Sequence, residues 1–128
     1  MKLRISAANV VLEVELRDTP TSKALTAALP FEATAQTWGE EVYFSTPVSA
    51  KLEADAKQVV DPGTVCFWTE GDALALPYGR TPISTDERPK LAARCNVPGT
   101  LRGDPRALAG IESGARIRLE NADATKAR

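Results

Sequence analysis

The chain has 128 residues, 43% hydrophobic and 26% charged, with sixteen basic side chains against seventeen acidic ones and a net charge of −1. That length suits one domain with one buried core, and the composition argues against a disordered chain or a membrane-spanning one. Basic residues form no run that would neutralise a row of phosphates, so nucleic-acid binding is not expected. Met1 to Ser6 leads into an alternating pattern without the apolar stretch of a signal peptide, which makes the cytoplasm the expected location, with no membrane contact.

Taken in chain order, Lys2 to Ala7 alternates polar and apolar residues, with Leu3, Ile5 and Ala7 on one face. Val10 to Leu16 repeats the alternation through Val10, Leu12, Val14 and Leu16, and Ala8-Asn9 between the two predicts a hairpin. Asp18-Thr19-Pro20-Thr21 is a helix start: Asp18 or Thr19 accepts the first free N–H groups and Pro20 suits the first helical position. Ala24, Leu25, Ala28 and Leu29 follow at helical spacing until Pro30 ends the run.

Period two returns from Phe31, with Phe31, Ala33 and Ala35 facing one way. Thr37-Trp38-Gly39-Glu40 then predicts a turn, followed by a strand over Val42 to Ser45 and Val48 to Leu52, interrupted at Pro47. A turn at Val59 to Gly63 precedes the apolar strand Val65-Cys66-Phe67-Trp68, and Glu70-Gly71-Asp72 separates that strand from Ala73-Leu74-Ala75-Leu76. A polar, proline-punctuated loop covers about Arg80 to Lys90, and Asn96 to Leu101 resumes extended structure. Asp104-Pro105-Arg106 opens a second short helix that ends at Gly110. Ala115 to Glu120 forms a last strand with Ile117 and Leu119 inward. Residues 121–128 are small and charged and predict a frayed tail after one domain over 1–120.

About eight short strands and two short helices favour a mainly β fold, a closed barrel whose curvature removes exposed strand edges. Each helix is too short to stand alone and is expected to pack against the sheet, over an open barrel end.

The chain contains no histidine. The commonest general base and the commonest transition-metal ligand are therefore both missing, which excludes Ser-His-Asp and Cys-His catalysis and most zinc hydrolase chemistry. No metal or other cofactor is expected. Cys66 and Cys95 are far apart and outside any Cys-x-x-Cys spacing, and read as buried structural thiols. Glu40-Glu41 and the scattered Asp61, Asp72, Asp86 and Glu87 lack the spacing of a calcium loop or a glycosidase pair and read as solvated surface. Ser84 has no base nearby to activate it.

Several strings resemble a family of small prokaryotic cyclophilin-like proteins. They are Asp18-Thr19-Pro20-Thr21-Ser22-Lys23-Ala24-Leu25, Ala28-Leu29-Pro30-Phe31-Glu32 and Thr37-Trp38-Gly39-Glu40-Glu41-Val42-Tyr43-Phe44 in the first half. Gly63 to Trp68, Gly71-Asp72-Ala73-Leu74, Tyr78-Gly79-Arg80-Thr81-Pro82 and Gly114 to Leu119 continue them in the second. The resemblance spans nearly the whole chain and implies a cyclophilin-type barrel of about eight strands capped by two helices. Cyclophilins are peptidyl-prolyl isomerases marked by a Phe-His-Arg string and a Gln-Gly-Gly string. This chain has neither, so the resemblance carries fold and not catalysis.

The ligand-binding residues singled out are Thr37, Trp38, Glu40, Tyr43, Phe44, Trp68, Tyr78, Arg80 and Thr81. Thr37-Trp38-Gly39-Glu40 offers a ligand rim or, alternatively, a tight hairpin with Trp38 folded over a barrel end. Trp68 ends a buried strand, which places its ring at a barrel mouth, as a groove wall or as core packing. Arg80 either grips a carboxylate or carbonyl with two parallel N–H donors, or stacks on Tyr78 or pairs with a surface acid. Three functions follow. The first is a binding module for a small acid or an extended peptide. The second is a prolyl isomerase with Arg80 as donor and Phe44 and Trp68 in its pocket. The third, by fold analogy, is a partner domain of an amide-cleaving enzyme. A homodimer is left open.

Overall fold

The computed structural model describes residues 1–123. Strands β1 (Lys2–Ala7) and β2 (Val10–Leu16) form the opening hairpin. Ala8 takes a positive φ of 51° in its turn. Helix α1 (Pro20–Ala28) starts where Thr19 and Ser22 bond reciprocally, each side chain to the other's backbone N–H, and has Pro20 in its first turn. Such a cap contributes about 1 kcal/mol.

The chain continues through β3 (Phe31–Thr34), β4 (Gln36–Thr37), β5 (Glu41–Ser45), β6 (Lys57–Val59), β7 (Thr64–Trp68), β8 (Ala73–Pro77) and β9 (Lys90–Leu101). A 3-10 helix over Pro105–Gly110 and the strand β10 (Arg116–Asn121) complete it. The ladders are antiparallel, in the order β3-β10-β1-β2-β9-β7-β8-β5-β4, with β6 beside β9 and off this path. The outermost strands of that order, β3 and β4, are neighbours in sequence with Ala35 between them, so the sheet curls into a nearly closed barrel.

The alternation read from the sequence fills the barrel. Leu3, Ile5, Val14, Val42, Phe44, Val65, Phe67, Leu74, Leu76, Ile117 and Leu119 are almost wholly buried in one main core, joined by Leu25 of α1 and by Leu108 of the 3-10 helix. β10 runs through Asn121, and Ala122 beyond it is buried, with its N–H bonded to the Lys2 carbonyl at 3.0 Å. Lys2 N–H in turn donates to Asp123 Oδ2 at 2.9 Å, so residues 2 and 123 lie side by side. Of the tail expected from 121, residues 124–128 lie outside the described residues.

Two expectations are corrected. Val48 to Leu52 is not a strand. Pro47 lacks an N–H for a ladder, and the segment is instead held by the fully buried Asn96, which donates to the Lys51 carbonyl at 2.8 Å and accepts from Glu53 N–H at 2.7 Å. Extended structure also begins earlier than Asn96: β9 starts at Lys90, and Leu91 to Cys95 belong to it. The helix-forming residues Leu91-Ala92-Ala93-Arg94 hide that strand, because pairing with β6 and β7 outweighs local propensity.

Candidate functional site

Period-two pleating gives this sheet a second buried face. In β8, Leu74 and Leu76 enter the barrel, while Ala73, Ala75 and Pro77 point the other way, and all five residues are buried. Opposite them lie Tyr43 and Glu41 of β5, in register with Ala75 and Pro77, and Cys66 and Trp68 of β7, in register with Ala75 and Ala73. Leu91 and Cys95 of β9 and Val60 complete a smaller apolar cluster on this outer face, against which Tyr43 and Trp68 pack.

Between these side chains lies a cavity of about 200 Å³ walled by Trp38, Tyr43, Trp68, Leu91 and Cys95, with Glu41 and four alanines, Ala73, Ala75, Ala92 and Ala93. The alanines are the reason for the hollow: a strand that places leucine inward and alanine outward fills the barrel and leaves space behind it. Trp68 is seated by Gly71, where a Cβ would stand 2.3 Å from two atoms of the indole ring. Only glycine lets that ring lie so close to the backbone.

Glu41 changes the character of the cavity. The residue is only 6% exposed and its Oε1 is buried with no hydrogen-bond partner among the described residues. Burial pushes its carboxyl up to about 7, since removal from water penalises the charged form. Trp68 Nε1 is buried and unpartnered as well. Orphaned polar atoms in a protein interior are uncommon, and the two residues that carry them, Glu41 and Trp68, both line one hollow. Cys66 and Cys95 are free and buried. Burial pushes the Cys95 thiol up to about 12, with Glu41 acting in the same direction, and holds Cys66 well above its ordinary value too, so neither offers a thiolate nucleophile.

Of the nine residues singled out from sequence, Trp38, Tyr43 and Trp68 meet at this cavity. Trp68 points to the outer face of the sheet and not to a barrel mouth, because it shares the pleat of Cys66. Phe44 is removed from the candidate site: it is fully buried in the main core, on the opposite pleat from Tyr43. Thr37 pairs with Val42 in the β4–β5 ladder and is exposed.

The remaining four build a buttress beside the cavity. The turn at Trp38 closes with its N–H on the Glu41 carbonyl at 2.9 Å, and Gly39 turns through a φ of +61° against Arg80 and Pro82. Glu40 binds the following loop through Tyr78 N–H to its carbonyl at 2.8 Å and Arg80 N–H to its Oε1 at 3.1 Å. Tyr78 packs on the main core under the Arg106 guanidinium, 5.6 Å above its ring. The exposed Arg80 side chain donates to the Ser84 carbonyl at 3.3 Å, and the buried Thr81 hydroxyl donates to the Lys90 carbonyl. The pocket of the isomerase reading is therefore not assembled, since Phe44 faces the barrel and the Arg80 guanidinium is turned to its own loop.

Sequence reasoning missed Glu41, read as solvated surface with Glu40. The available signal was its parity: Glu41 shares a pleat with Tyr43, and the alanines of β8 share it too.

Among the described residues no helix is long and apolar enough to cross a membrane. Comparison with known proteins places the fold. The solution structure of the hypothetical protein AF2241 from Archaeoglobus fulgidus is 37% identical, with a TM-score of 0.81 over 95% of each chain. The structure of McbB in complex with tryptophan is similar at a TM-score of 0.65 and 14% identity, over 94% of this chain and 44% of that one, a likeness of fold. No curated protein matches. A family model described as Cyclophilin-like matches residues 1–120, and on that match and the barrel described above the chain belongs to the cyclophilin-like family.

Proposed function

We propose that this domain binds a small molecule in the aromatic cavity on the outer face of β5, β8, β7 and β9. The observation that carries the reading is that Glu41 and Trp68, each holding a buried polar atom with no partner among the described residues, both line an otherwise apolar hollow. Aromatic walls with a few convergent polar groups are the usual make-up of a ligand pocket. McbB, 44% of which is matched by this fold, is known in complex with tryptophan, which supports an aromatic molecule as cargo. The small acid considered from sequence gains no support, because no lysine or arginine lines the cavity.

Both tryptophans of the chain, Trp38 and Trp68, line the cavity, so the whole indole fluorescence reports on it. Titration with a panel of small aromatic compounds is expected to change that emission and to raise the melting temperature, since a ligand that binds only the folded state stabilises it. Gly71→Ala, whose methyl displaces the Trp68 ring, is expected to weaken binding at least tenfold in the same titration. Absence of any emission or melting change across the panel overturns the reading.

A further inference from the structure

Resting on the binding reading above, we propose that the cavity selects a flat nitrogen heterocycle that turns a ring N–H toward Glu41, and that it discriminates against carboxylic acids and against hydrocarbons of the same shape.

Shape is the first argument. The cavity floor is made by the short side chains of Ala73 and Ala75, and its walls by the rings of Trp38, Tyr43 and Trp68. At about 200 Å³ it suits one small ring system and not a chain of residues. Charge is the second. The one carboxyl on the lining is that of Glu41, and among the described residues no side chain donates to its Oε1. A carboxylic acid ligand would set two carboxyls together away from water with no cation between them, which disfavours both ionised forms. An apolar ring of the same outline would leave the Glu41 oxygen as unsatisfied as it stands, whereas an N–H satisfies it.

Protonation sharpens the choice. Burial holds the Glu41 carboxyl at about 7, so near neutral pH it is divided between an acceptor-only carboxylate and an acid that also donates. An azole carries an N–H and a bare ring nitrogen and answers either form. Indole donates to either form but has no ring nitrogen to accept the acid's O–H, and benzofuran, with oxygen in place of N–H, gives up that donor.

The test is titration of the intact protein with benzimidazole, indole, benzofuran and benzoate, read by tryptophan fluorescence near neutral pH. Benzimidazole is expected to bind tightest, indole next, and benzofuran about tenfold or more weaker than benzimidazole, the loss expected for a hydrogen bond to a charged group. Benzoate is expected to be weakest. Glu41→Leu is expected to erase the preference of benzimidazole over benzofuran while benzofuran itself still binds. Should that variant fail to fold, the wild-type ranking decides alone. Equal affinity for benzimidazole and benzofuran, or benzoate binding as well as either, overturns the ligand class while leaving the binding pocket standing. No response to any of the four compounds overturns the pocket itself.

Discussion

The two faces of the β5–β8–β7 sheet are built from alternating residues of the same strands, yet they do different work. Toward the barrel axis the strands send Val42, Phe44, Val65, Phe67, Leu74 and Leu76, large apolar side chains that are buried and close-packed. Away from it they send Glu41, Tyr43, Cys66, Trp68, Ala73 and Ala75, a mixture of acid, rings and stubs that cannot fill its own space. If the outer face binds as proposed, a single pleat separates stability from recognition, and a residue's parity decides whether its loss is felt mainly as unfolding or as lost binding.

The largest test of that division is Phe44→Ala. Removing a fully buried ring from the main core is expected to cost about 3–5 kcal/mol by urea denaturation, whereas Tyr43→Ala, one residue away on the half-buried outer face, is expected to cost far less and to reduce ligand response instead. Equal stability losses would erase the distinction between the faces.

An effect of about 3 kcal/mol is expected from Glu41, and it depends on pH. Its carboxyl has an ordinary value of 4.5 and is raised to about 7 in the folded protein. Between those values the folded state keeps a proton that the unfolded state has lost. The resulting stability is fully present below about 4.5 and is lost as pH rises through 7, at 1.36 kcal/mol per unit of difference. Wild-type stability is therefore expected to fall from about pH 5 to about pH 8 in urea titrations, and Glu41→Gln to flatten that fall and to exceed wild type at the higher pH. A variant profile that parallels wild type would show that Glu41 is not the group concerned.

The smallest effect belongs to Arg80, which sits on neither face. Its guanidinium is exposed and bonds within its own loop, so Arg80→Ala is expected to change stability by no more than about 0.5 kcal/mol and to leave aromatic binding intact. A large loss of binding would bring the loop into the site.

Most of the barrel was legible because it rests on period two. β1, β2 and β10 alternate plainly, β7 and β8 stand out as short apolar runs, and Asp18-Thr19-Pro20 marks the start of α1. The stretch 48–52 was misread because its alternation is real but its hydrogen bonds go to Asn96, a partner more than forty residues away that no local pattern announces. β6 is three residues long, too short to show a period. At the site, the three rings were found because large aromatics are conspicuous. Glu41 was not, because an acid beside another acid looks solvated until β8 is laid against β5 and Pro77 covers it. Phe44 was drawn in by nearness in sequence to Tyr43, which does line the cavity, and Arg80 by the chemistry of a guanidinium in a loop. Pleat parity and loop bonding, which sequence nearness ignores, set them apart.

The chain enters the sheet at Lys2 and reaches Asp123 one hydrogen bond away, so that both ends of the described residues lie at β1 and β10, with the seam of the barrel elsewhere, between β3 and β4. A fold whose start and finish share one doorway can be spliced into a surface loop of a host protein as a single plug. The exposed Thr85 to Glu87 stretch is, in turn, a place where this domain could itself accept an insertion.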